Sequence, residues 1–268
     1  MKVTLYISAI CLLISCSAHR VKKSDLAKEN LKGNVHMVIT STYDVIKIDS
    51  GKTENQLIRI DTSIYNAAGN VTSLIEVRDI YAKDITNSKY NSDGDLIEEK
   101  HYTNLGDVPP QPVTSPVTGQ VSFSPEKPHK MHLIDSTVYS TSGNTVEFKS
   151  YSAEGGLTFS GSYEYDNKGN MAQQEFTDSY GKETDTYQYD DNGNKLQVNS
   201  KSDKGEAAKM FSYNDKGNET EYKSYNEEGK LETAINYKYH DYDKNGNWLS
   251  RTRTENDKFV RLEVREIK

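Results

Sequence analysis

The feature that most constrains this chain is a phrase that returns at a fixed interval: two aromatics flanking one polar residue, then a polar turn, a glycine and an asparagine. It reads Tyr163-Glu164-Tyr165-Asp166-Asn167-Lys168-Gly169-Asn170, returns as Tyr187 to Asn194 and as Phe211 to Asn218, each 24 residues after the last, and is followed by Tyr237, Tyr239 and Tyr242 to Asn247. Such a period marks a repeat architecture in which each unit buries its face only against its neighbours. Aspartate or asparagine at the first turn position bonds the backbone two residues on, and glycine three residues later supplies the left-handed conformation that closes a tight hairpin. Gly69, Gly94, Gly143, Gly169, Gly193, Gly217 and Gly246 are the turn glycines predicted in this way. The aromatics lie two apart, so on a strand they share one face, and Glu164, Gln188, Ser212 and Lys238 take the other.

Halfway between lie Gly155, Gly181, Gly205 and Gly229, which makes the commonest step between glycines 12 residues. That length suits one short strand and one turn, so the larger unit is a pair of strands whose turns alternate between opposite ends. Related phrases at Gly69 and Gly94 start the repeat near residue 60. The fold predicted is all-β: an elongated antiparallel meander of repeated hairpins, a curved or twisted sheet, partly rolled, preceded by a short helix from Ser24 to Lys32 with Gly33-Asn34 as its stop. Trp248 to Lys268 reads as a closing hairpin that caps the sheet.

With 34% hydrophobic residues, 27% charged, and 19 tyrosines against 6 phenylalanines and 1 tryptophan, the core must be thin and built on tyrosine. Tyrosine buries a large ring while its hydroxyl stays wet. All six prolines fall between Pro109 and Pro128, inside an insertion at 107–130. Proline removes ladder donors, so the insertion is no central strand and reads as an extended loop at a hairpin tip. The domain organisation expected is a signal peptide at 1–15, a tether and short helix at 16–34, and one repeat β-domain at 35–268.

Residues 1–16 read as a targeting segment: Lys2, an apolar run from Val3 to Ile14 too short to span a bilayer with ease, then Leu13-Ile14-Ser15-Cys16. That ending resembles the bacterial lipobox. The resemblance implies that Cys16 is lipidated and becomes the mature N-terminus, and Ser17 behind it implies passage to the outer membrane, facing the periplasm. Cys11 and Cys16 are the two cysteines, so the mature domain would hold no thiol for a disulfide, a thiolate metal site or a nucleophile.

Motifs for chemistry are sparse. The sequence holds no HExxH, GxSxG or P-loop, and its histidines are scattered. Asp241-Tyr242-Asp243-Lys244-Asn245-Gly246 opens like an EF-hand loop, but Thr252 stands where a bidentate glutamate is needed, and the turn phrase already accounts for Asp243, Asn245 and Gly246. No catalytic residue, metal or cofactor is therefore assigned. A formal net charge of -7 without a basic stripe argues against nucleic acid. Tyr163, Tyr165, Tyr187, Tyr189, Tyr213, Tyr237, Tyr239 and Trp248 are candidates for stacking on sugar rings or aromatic partners, the alternative being that they are simply core.

The phrase YxYDxxGN resembles the YD repeat of the Rhs family of bacterial surface and secreted proteins, over roughly residues 60 to 250. The commoner family form has arginine after the glycine; asparagine here is the form of small YD-repeat lipoproteins. The resemblance implies long β-sheets, which in large members wrap into shells around a toxin. This chain has too few repeats for such a shell and no further C-terminal domain to enclose, so the toxin role is not implied. The function expected is a non-catalytic, lipid-anchored envelope protein whose sheet is a scaffold or binding surface for a glycan or an envelope protein. The alternative is a hydrolase of envelope polysaccharide using two carboxylates in a cleft.

Overall fold

A computed structural model describes residues 21–47, 53–78, 82–104, 112–114, 121–123, 130–256 and 259–268. Cys16 and most of the insertion at 107–130 lie outside the described residues. The strands are β1 (Met37–Lys47), β2 (Thr53–Tyr65), β3 (Val71–Arg78), β4 (Ala82–Tyr90), β5 (Leu96–Thr103), β6 (Pro112–Thr114), β7 (Val121–Phe123), β8 (His132–Ser142) and β9 (Thr145–Ser152). They continue as β10 (Leu157–Tyr165), β11 (Met171–Asp178), β12 (Gly181–Tyr189), β13 (Lys195–Ser202), β14 (Gly205–Tyr213), β15 (Glu219–Tyr225), β16 (Leu231–Tyr242), β17 (Trp248–Glu255) and β18 (Phe259–Ile267).

Every strand except β6 and β7 joins one antiparallel sheet in sequence order, and β1 pairs with β18 from Val38↔Ile267 to Asp44↔Arg261, closing the sheet into a barrel. The meander is as the repeat predicts, but it is neither elongated nor partly rolled: the repeats suffice to close. The C-terminal hairpin is correspondingly no cap but half of the seam. The phrase itself explains the curl. The register shifts at Ile64/Tyr65, Lys89/Tyr90, Glu164/Tyr165, Gln188/Tyr189 and Ser212/Tyr213, always beside the aromatic that precedes the turn. A bulge bends its strand and sharpens the twist, and the same bulge repeated at one end of alternate hairpins rolls the sheet until its edges meet, where closure removes them. The seven predicted turn glycines all have positive φ, between 59° and 86°.

The turns at 66–70, 91–95, 143–144, 166–170, 190–194, 214–218 and 243–247 gather at one mouth, with the start of β1 and the end of β18. The other connections, including the insertion after Asn104, leave from the far mouth; β6 and β7 pair with each other in a separate two-stranded sheet. Residues 21–33 are not a free tether. Lys22 pairs with Asp95 at 2.9 Å, Lys23 donates to the Asn170 side chain at 2.6 Å, the Leu26 N–H donates to the Gly69 carbonyl at 3.0 Å, the Asn30 amide donates to the Lys216 carbonyl at 2.8 Å, and the Lys32 N–H donates to Asn247 Oδ1 at 2.7 Å. The segment thus crosses the near mouth from turn to turn. The helix expected from Ser24 to Lys32 is one turn, α1 (Asp25–Lys28), capped by Ser24 and stopped where Asn30 adopts φ 55° to reach Lys216.

Leu31, Val35, Val38 and Tyr65 form a buried cluster with Leu26, Val71 and Ile267 packed against it, so apolar packing joins the plug to the seam. Cross-strand partners share a face, which carries the inner side around the wall: Tyr187↔Val198↔Lys209 and Phe211↔Tyr222↔Ile235, with Val198 3% and Ile235 7% exposed. The outer side carries the row Glu147, Ser162, Glu175, Thr184, Lys201 and Glu206 from β9 to β14, braced by Lys182–Glu175 at 2.9 Å and Lys201–Glu206 at 3.1 Å. This charged row interrupts the apolar residues on that side of the wall.

Candidate functional site: an aromatic and cationic lumen

The inner face meets the plug in a cavity of about 830 Å³. Tyr165, Tyr187, Tyr189, Tyr213, Tyr239 and Trp248 line it, joined by Gln174, Lys195, Glu219, Arg251 and Arg265 from the wall and by Lys23, Lys28, Glu29 and Asn30 from the plug. Six of the eight predicted stacking residues therefore converge. Tyr163 lines a neighbouring cavity of about 300 Å³ with Tyr90 and Tyr139, and the Tyr237 ring carries the Arg251 guanidinium 4.2 Å from its centre. The expected binding surface is thus turned inward: the rings form the lining of a chamber and not an outer face of the sheet.

Trp248 is 5% exposed and anchors this chamber. The guanidiniums of Arg251 and Arg265 stack on its ring at 4.4 and 3.7 Å, and Tyr239 meets it edge-on at 6.0 Å. Arg251 donates to Glu263 at 2.6 Å and to the Tyr239 hydroxyl at 3.2 Å. Burial opposes its charge, yet these partners hold its pKa above the usual value. For Arg265 the support of Glu29, Tyr65 and Glu263 is outweighed. Burial and the neighbouring Arg251 push it down to about 10.

The remaining groups are held by their own wall. Tyr213 donates to the Lys195 carbonyl at 2.9 Å, Tyr239 to the Glu219 carbonyl at 2.7 Å and Tyr187 to the Gln174 side chain at 3.0 Å. Burial raises the phenols, Tyr163 and Tyr189 to about 12, so they stay neutral donors. Burial also raises Glu29 and Glu219 and lowers Lys195.

The sequence signals that carried the rings did not carry Lys195, Glu219, Arg251 and Arg265. Two of these have a signal in retrospect. The residue directly after the closing asparagine of a turn is Met171, Lys195, Glu219 or Trp248, each paired across the hairpin with the tyrosine before the turn, and all four line the cavity. This position therefore varies within an otherwise constant phrase while keeping one place on the inner face. Arg251 and Arg265 have no such mark; β17 and β18 lie past the last phrase.

The closing asparagine of the turn phrase also fixes the mouth. In the turns 166–170, 190–194 and 243–247 one oxygen of the leading aspartate accepts the closing asparagine's N–H at 2.7, 2.8 and 2.9 Å, and the other accepts its amide at 2.9, 2.8 and 2.9 Å. Burial raises Asp243 somewhat, but these bonds more than offset it and hold the carboxyl below its usual range. Its oxygens are thus engaged by the calcium-like loop's own turn. In the turn 91–95 the types are exchanged: Asn91 leads, Asp95 closes, and Lys22 answers the charge. In the turn 214–218 both are asparagine, and Nδ2 of Asn218 is buried without a partner. Asn214→Asp supplies the missing acceptor, so it should raise stability by about 1 kcal/mol in urea denaturation. An unchanged or lowered midpoint would show that the asparagine pair is satisfied by other means.

No family model matches the chain, and no curated protein matches it. Among solved structures it is similar to a porin-like protein from Bacteroides uniformis ATCC 8492, with 11% identity, 87% of this chain and 96% of that chain covered, and a TM-score of 0.38. It is similar to TcdB2-TccC3 without its hypervariable C-terminal region at 12% identity, over 84% of this chain and 14% of that chain, with a TM-score of 0.27. A domain classed as outer membrane lipoprotein-sorting, from Vibrio parahaemolyticus, gives 11% identity over 90% and 88% of the two chains and a TM-score of 0.33. At these values the likeness carries no functional argument.

Proposed function

We propose that this chain is a lipid-anchored YD-repeat protein of the cell envelope, held by Cys16 at the outer membrane facing the periplasm, and that its barrel lumen binds a glycan without catalysis. The observation that carries the reading is the convergence of Tyr165, Tyr187, Tyr189, Tyr213, Tyr239 and Trp248 on one cavity of about 830 Å³. Flat rings offer sugar faces a stacking surface, and the amides and hydroxyls between them, Gln174, Asn194 and the tyrosine O–H groups, offer directed hydrogen bonds.

Trp248 is the one tryptophan of the sequence and lines the cavity, so its emission reports occupancy directly. Titration with oligosaccharides released from envelope glycans should change that emission saturably, and Tyr189→Ala with Tyr213→Ala should weaken binding about 10-fold or more at a retained β-sheet spectrum. A flat titration across the panel would refute lumen binding. Separately, Cys16→Ala should move the protein from the membrane to the soluble fraction, and continued membrane residence would refute the anchor.

A further inference from the structure

The cavity is charged in the sense opposite to the chain that builds it. The sequence carries a formal net charge of -7, yet the lining holds Lys23, Lys28, Lys195, Arg251 and Arg265 against only Glu29 and Glu219. Some of this charge is answered from within: Lys23 by the Asn170 side-chain Oδ1, Lys28 by Asp25 at 2.8 Å, Arg251 by Glu263 at 2.6 Å. Arg265 is not answered in the same way. Its side chain is 15% exposed, the carboxylate facing it, Glu29, stands at 4.0 Å, and its Nε is buried without a hydrogen-bond partner. Lys195 lies over the Phe211 ring at 4.6 Å, with no carboxylate at pairing distance among the described residues.

We infer that the ligand of the lumen bears an anionic group, a carboxylate or a phosphate, and that Arg265 and Lys195 receive it beside Trp248. The inference rests on the lumen-binding reading above and names the class of glycan: an acidic one. A guanidinium stacked on an indole keeps its donor edge free, and its planar fork matches two oxygens of a carboxylate or phosphate. Burial, which depresses the pKa values of Arg265 and Lys195, makes the cost of their charge recoverable when an anion arrives. The same burial raises Glu29 and Glu219. Sugar rings stacked on the tyrosines would then be oriented by one charged substituent at the Trp248 end.

The test uses the full-length protein in detergent, followed by Trp248 emission, with chitotetraose as a neutral probe, tetragalacturonate as an acidic one, and acetate and inorganic phosphate alone. Tetragalacturonate should bind about 10-fold more tightly than chitotetraose. The preference should shrink as salt rises, and in Lys195→Gln and in Arg265→Gln the ratio of tetragalacturonate to chitotetraose affinity should fall to about one. Lys195→Gln keeps the test usable should Arg265→Gln disturb the packing on Trp248. Competition by phosphate but not acetate would assign a phosphate-bearing ligand, and the reverse a carboxylate. Equal binding of the neutral and acidic sugars would overturn the anion site and leave the glycan reading standing. Binding of phosphate or acetate with neither sugar would do the opposite, and silence from every probe would overturn both.

Discussion

Asn247→Ala should lower the stability of the barrel by about 3 kcal/mol, since it removes several buried bonds at once and leaves their partners unmet. Asn247 is 3% exposed. Its N–H and amide donate to the two oxygens of Asp243 at 2.9 Å each, its amide also donates to the Lys32 carbonyl at 2.9 Å, and its Oδ1 accepts the Lys32 N–H at 2.7 Å. Alanine keeps the first of these alone. The Lys32 N–H and carbonyl then lose their partner under the plug, and an orphaned buried backbone group costs about 1–3 kcal/mol. Asn247→Asp is the sharper companion. It has the same size, but it cannot donate, and it sets a second carboxylate against Asp243 and the Lys32 carbonyl. Where the sequence does place a carboxylate at this point of a turn, Asp95, it leads with Asn91 and supplies Lys22. Urea denaturation of both variants would decide the matter: losses below about 1 kcal/mol would mean that solvent reaches these groups and that the plug is not held by the turn.

How much of this was legible depends on the range of the interaction that decides each feature. The hairpins were, because a turn is a local contract: Asp166 and Gly169, or Asp190 and Gly193, specify it within four residues. The common face of Tyr187 and Tyr189 was legible for the same reason, being set by strand geometry alone. Which side of the sheet became the inside was not, because that is decided by closure, and closure rests on contacts between Val38 and Ile267 or Asp44 and Arg261, at opposite ends of the sequence. The bulge beside each aromatic is local, but its accumulated bend around the wall is a global quantity. The polar plug was hidden by a similar cause. Lys22, Lys23 and Lys32 read as part of a tether and short helix until the turns they address, 91–95, 166–170 and 243–247, stand on one rim. Arg251 and Arg265 read as ordinary alternating strand residues, and only the seam sets both against Trp248.

Leu31→Ala should have an effect of the same order, a loss of about 2–5 kcal/mol, and it tests a different part of the argument. A closed barrel with a chamber inside has little room for an apolar core, and the inner wall here is largely tyrosine with charge. Leu31 lies buried with Val35, Val38 and Tyr65 where the plug crosses the seam, with Ile267 of β18 and Val71 of β3 packed beside them. This cluster therefore does two jobs with one set of contacts: it holds the plug down and it packs the first, second and last strands of the ring together. The lining shares that dependence, since Glu29 and Asn30, two residues and one residue before Leu31, belong to the cavity. Truncating Leu31 should thus lower the denaturation midpoint and, in the protein that remains folded, shift the emission of Trp248 to the red as water enters beside Arg265. Loss of stability without a change in emission would place the cluster in the seam alone. A variant that melted like the parent would mean that the strand ladder closes the barrel unaided and that the plug rests on it as an accessory.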